Sequence, residues 1–150
     1  MLKMAKEKTV FEYNSDIVVK QIRELDFVEL DSVKDKRVDD LCLFYAKSVL
    51  SWVNFNLLLS RIDKNVKSRL LKIEIFIKFL KIEYEYVENG TKTNLRSMFI
   101  KRLLKKIDLE INRSTRLSIK YDTNFENCVL DYLEYKQEYI NKLKKKITNA

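Results

Sequence analysis

Between Phe55 and Val87 apolar residues recur at steps of three and four, threaded with single charges. Leu59, Ile62, Val66, Leu70, Ile73, Ile77, Leu80, Tyr84 and Val87 form one continuous stripe when wound at the helical period, which predicts a single long α-helix with that stripe in the core. A second series, Leu71, Ile75, Phe79, Ile82 and Tyr86, keeps the same spacing on nearly the opposite side. Charges fall in the strips between, with Lys67, Glu74, Lys78, Lys81 and Glu85 on one and Lys72 and Glu83 on the other. Such a helix sits between two packed layers. A chain this short either supplies both layers or borrows one, so the second series is the candidate partner-binding surface.

The flanking segments read as shorter helices. Asn14 or Ser15 is expected to cap a first helix with Ile17, Val18, Ile22 and Leu25 inward, while Val10 to Tyr13 dock on the core. Phe27 and Leu30 anchor the link that follows. Asp31 or Ser32 opens a second helix with Val38, Leu41, Cys42, Tyr45, Val49 and Trp52 buried, and a boundary falls near Val53–Asn56. Glu88-Asn89-Gly90 closes the central helix, because Gly alone takes the left-handed conformation without strain. Thr93 or Asn94 starts a basic helix bearing Met98, Ile100, Leu103, Leu104, Ile107 and Ile111. Its pattern breaks at Arg113-Ser114-Thr115-Arg116, and Leu117, Ile119 and Tyr121 then alternate with polar residues. A last helix carries Phe125, Val129, Tyr132, Leu133, Tyr139, Ile140, Leu143 and Ile147. The predicted fold is all-α, about five helices packed around one long central helix, 55–87. It is read as a single domain over 1–150, with a frayed basic N-terminus at 1–9 and a Lys-rich end at 142–150.

Composition strengthens the helical reading. With no Pro and a single Gly, the chain has almost no helix-breaking punctuation. Its 46% apolar and 35% charged residues suit a globular domain rather than a disordered one. Cys42 and Cys128 each fall in an apolar helical pattern and read as reduced core residues, which points to an intracellular protein. No apolar run is long enough to predict a membrane span, and no secretory signal is visible.

Charge narrows the function classes. Met1–Ser60 holds 9 basic and 10 acidic side chains, net −1, and Arg61–Ala150 holds 21 and 12, net +9. A basic half suits nucleic acid, an anionic surface or an acidic partner, and equally a solvated surface rich in lysine. Lys101, Arg102, Lys105 and Lys106 would form one phosphate-contacting band, and Lys142, Lys144, Lys145 and Lys146 a second. The tyrosines at 84, 86, 132, 135 and 139 step at helical spacing, which suits core or interface better than base stacking. The absence of His removes imidazole acid–base chemistry and most zinc sites. Asp39/Asp40 and Glu83/Glu85 are sequence neighbours or near neighbours that point apart on a helix, so neither makes a catalytic pair. With no Gly-rich phosphate loop and no metal-ligand spacing either, no enzyme, cofactor or metal is expected.

Ser68-Arg69-Leu70-Leu71-Lys72-Ile73-Glu74, preceded by the basic turn Arg61–Lys67, resembles a segment in the longest helix of GINS subunits. GINS is the four-subunit complex of the eukaryotic and archaeal replicative helicase. Gln21-Ile22-Arg23-Glu24-Leu25 looks like the end of an opening GINS helix, and Asp131–Tyr139 like a closing one with its spaced aromatics. The stretch from Thr91 to Tyr121 is longer than the family's pattern, and the small β-rich domain is missing. The resemblance implies a non-enzymatic scaffold packed against sister subunits in a hetero-oligomer, located in the nucleus or nucleoid. Two alternatives remain open from the residues alone. One is a small basic helical nucleic-acid-binding protein, and the other a viral helical regulator that binds a host partner helix in a groove.

Overall fold

The computed structural model describes residues 9–23, 31–90, 94–116, 130–134, 136–138 and 141, with side chains at all of these except 31–35, 70 and 114–116. Among the described residues every element is an α-helix, as the periodicity predicts. In order they are α1 (Val10–Arg23), α2 (Asp31–Ser48), α3 (Trp52–Asn65), α4 (Arg69–Glu88) and α5 (Asn94–Arg116). Residues 130–134 and 136–138 are also helical. The contacts divide the chain into two compact units, Met1–Ser68 and Arg69–Ala150. Leu25, Phe27, Leu30, Leu117, Ile119, Tyr121, Phe125, Cys128, Val129 and Tyr139 lie outside the described residues, as do the Lys-rich end and most of the expected frayed start.

The one long helix expected over 55–87 is two helices. α3 ends at Asn65, and Val66 takes an extended conformation (φ −91°, ψ 111°) while its N–H still bonds the Ile62 carbonyl. The local chemistry accounts for the break. Asp63, Asn65, Val66 and Ser68 are mediocre helix formers, and the Asn65 amide donates to the Arg61 carbonyl at 2.8 Å, competing with the helical ladder. Periodicity missed it because Ile62 and Val66 are both buried, so the apolar spacing runs on across a bend. At the far end the reading holds. Gly90 adopts φ +86°, and its N–H reaches the Val87 carbonyl at 3.1 Å.

In the first unit, α1 starts earlier than expected. Thr9, not Asn14 or Ser15, is the cap, accepting from the Glu12 N–H at 3.1 Å. Ser15 lies inside the helix, buried, donating to the Glu12 carbonyl. The inward face is Ser15, Val19 and Ile22; Ile17 is exposed. α1 runs antiparallel to α2, since Phe11 stacks on Phe44 while Arg37 reaches the Gln21 carbonyl. Val38, Leu41, Tyr45 and Val49 are buried as expected, and Cys42 is half-buried. Ser51 caps α3 by accepting from the Asn54 N–H, and Asp16 pairs with Arg61 across α1 and α3. The start of α1, the end of α2 and the start of α3 therefore share one end of this unit.

In the second unit, α4 and α5 form an antiparallel hairpin about Gly90. Arg96 meets Glu83 near the turn, and Lys106 lies over the Phe76 ring farther along. Phe99, Ile100, Leu103 and Ile107 of α5 and Leu71, Ile73, Ile75, Phe76, Phe79 and Leu80 of α4 are all buried. Removing an aromatic such as Phe76 or Phe79 from such a core costs about 3–5 kcal/mol. α5 also continues through the Arg113–Arg116 stretch expected to interrupt it.

Candidate functional site

The face of α4 expected to meet a partner is covered by the chain itself. Leu71, Ile75 and Phe79 are buried, and Ile82 and Tyr86 are half-buried. The reason lies in the hairpin. α5 approaches through Phe76, Glu83 and Tyr86, which interleave on α4 with those positions. Tyr132 lies close to Tyr84 on the other series of α4 residues, which is also buried. An apolar helix needs two layers; here the chain itself covers Leu71, Ile75 and Phe79, which are therefore not open as docking anchors, while Ile82 and Tyr86 stay half-exposed.

Two polar contacts fix this arrangement. Arg96 donates to Glu83 at 2.8 Å in the core, with its guanidinium 4.2 Å from the Tyr86 ring centroid. Tyr132 donates to Asp108 at 2.6 Å, and Lys136 pairs with the same carboxylate at 3.2 Å. Burial first, and then the hydrogen bond to Asp108, push the Tyr132 hydroxyl far above the ordinary tyrosine range. It therefore stays a neutral donor tying the last described helix to α5.

The basic band is only partly assembled. Lys101, Arg102 and Lys105 are exposed on α5, whereas Lys106 is half-buried over Phe76. Arg113 extends the exposed side about two turns farther, reaching Glu110 at 3.7 Å with half its side chain in solvent. Lys142, Lys144, Lys145 and Lys146 lie outside the described residues.

A surface that sequence reasoning missed is the apolar end of the first unit. Val10 and Tyr13 of α1, Leu43 and Leu50 at the end of α2, and Trp52 and Val53 at the start of α3 are between 37% and 78% exposed. At about 100° per residue Val10, Tyr13, Leu43 and Val53 each lie nearly opposite the buried side of their own helix. Val10 and Tyr13 do not dock on the core as expected; Phe11 does. The detectable signal was Leu50-Ser51-Trp52-Val53, three large apolar residues around a capping Ser, where a turn should be polar.

Neither of the acidic pairs weighed in the sequence forms a paired site. Asp39 and Asp40 are both exposed, and Glu83 is buried against Arg96 while Glu85 is exposed. Among the described residues no three Cys, Asp or Glu side chains are grouped to hold a metal ion, and no helix is long and apolar enough to cross a membrane. Comparison with protein-family models, curated proteins and solved structures returns no match.

Proposed function

We propose that the chain is a non-enzymatic helical subunit of a multiprotein assembly of the GINS type. Its partner-facing surface is the apolar end of the Met1–Ser68 unit, in place of the buried side of α4. The observation that carries this reading is that Val10, Tyr13, Leu43, Leu50, Trp52 and Val53 are all exposed, near where three helices begin or end. Single exposed apolar residues need no explanation, but six large ones near the helix ends of one small unit favour an interaction surface there. Trp and Tyr are also the residue types that contribute most at interface centres. On this reading the protein works in the nucleus or nucleoid, and its partners are sister helical subunits.

The test co-expresses the chain with the sister subunits of its source organism. Leu50→Asp together with Val53→Asp should abolish co-purification, while far-UV circular dichroism and the melting temperature of the isolated chain stay near wild type. Retention of this double variant in the complex refutes the surface. Phe79→Asp behaves differently: the side chain is fully buried, so an added carboxylate unfolds its unit instead of detaching a partner.

A further inference from the structure

The partner surface leaves the charge of the molecule unused. Met1–Ser68 holds 12 basic and 11 acidic residues, net +1, while Arg69–Ala150 holds 18 and 11, net +7. Within the second unit α5 has 7 basic and 2 acidic residues, net +5. Both acids are engaged elsewhere, Asp108 with Tyr132 and Lys136, and Glu110 buried beside Arg113. The exposed side of α5 thus carries Lys101, Arg102 and Lys105, with Arg113 beyond them; the one half-exposed acid between, Asp108, is neutralised by Lys136. Among the described residues no ion pair engages Lys101, Arg102 or Lys105.

We infer that this side of α5 is a nucleic-acid backbone site, contacting phosphates without reading sequence. The cations form a line instead of a cluster. Lys101 and Lys105 are four residues apart, about 6 Å along the helix, and Arg113 is about 12 Å beyond Lys105. A free phosphate meets one or two of them. A phosphodiester chain, with a charge every ~3.4 Å of rise per strand, spans them all. Arg102 and Arg113 supply the planar, two-pronged donors that suit phosphate oxygens. A lipid surface fits less well, because among the described residues the exposed large apolar side chains of α5 are Met98 and Leu109, at opposite ends of the Lys101–Lys105 group.

The full chain is titrated against a fluorescein-labelled random-sequence duplex and its single strand by fluorescence anisotropy. Four phosphate contacts give a log–log salt slope on duplex of about −3.6, a loss of about 150-fold in affinity between about 50 and about 200 mM salt. Lys101→Ala and Lys105→Ala should each flatten that slope by about 0.9. Lys101→Glu with Lys105→Glu should weaken binding at least about tenfold more than the equal charge change Lys20→Glu with Lys64→Glu, at exposed positions of the other unit. Circular dichroism verifies that these surface variants fold. The inference is overturned by no binding at low salt, by a flat salt response, or by equal losses in the two charge-reversal pairs. It is also overturned if phosphatidylserine vesicles bind the chain and neither nucleic acid does.

Discussion

Replacing Arg96 by Met removes the positive member of the buried pair that joins α4 to α5 and leaves the rest of the hairpin in place. Glu83 is fully buried, and the Arg96 guanidinium pairs with it at 2.8 Å. Stripping one member from such a pair leaves a charge in the core and destabilises by about 3–5 kcal/mol. Loss of the contact with the Tyr86 ring adds about 1 kcal/mol. With a urea dependence of about 2 kcal/mol per molar, the unfolding midpoint should fall by about 2–3 M. Glu83→Leu combined with Arg96→Met, which removes both charges, should recover most of the loss, because paired buried charges are often replaceable by apolar side chains at little net cost. The assay is urea denaturation followed by circular dichroism for wild type, both single variants and the double. A midpoint change under about 0.5 M for Arg96→Met would mean the pair behaves like a solvent-exposed one, worth about 1 kcal/mol or less, and the burial argument would be wrong.

Two further substitutions probe the same unit. Gly90→Ala meets no atom within 4 Å, so its cost is conformational, set by φ +86°, and should be about 1–2 kcal/mol, with Asn at that position costing less; thermal melts that rank Ala at or above Gly would contradict this. Tyr132 has its folded pKa raised above the unfolded value of about 10, so the stability it contributes is fully present below pH 10 and falls as pH rises beyond it. Tyr132→Phe should cost about 1 kcal/mol near neutrality and remove that part of the alkaline decline, measured by thermal melts across pH; an unchanged decline in the variant would count against the Asp108 bond.

Fold class was readable in advance because it rests on period and composition, which the final packing does not alter. The stop at Gly90 was readable for a related reason, since one residue type owns that backbone conformation. What failed needed tertiary information. The bend at Val66 hides inside an uninterrupted apolar spacing, and the cap at Thr9 competes with equally suitable residues at Asn14 and Ser15. The two-sided apolarity of α4 was correctly seen, but period cannot say whether the second layer is foreign; α5, bringing Arg96 to Glu83 and Tyr86, answers that. The apolar end of the first unit escaped for the opposite reason. Val10, Tyr13, Leu43, Leu50 and Val53 were expected inside or passed over, and only the assembled helices place them in solvent. On α5, spacing identified Lys101, Arg102 and Lys105 but could not foresee Lys106 lying over Phe76.

The most direct measurement is the native mass of the untagged protein, purified gently from cells of its source organism. An assembly subunit should emerge in a stoichiometric heteromer with other helical chains, and Leu50→Asp with Val53→Asp should release it at 18.1 kDa. A wild-type protein that is recovered only as a folded 18.1 kDa monomer would contradict the proposal.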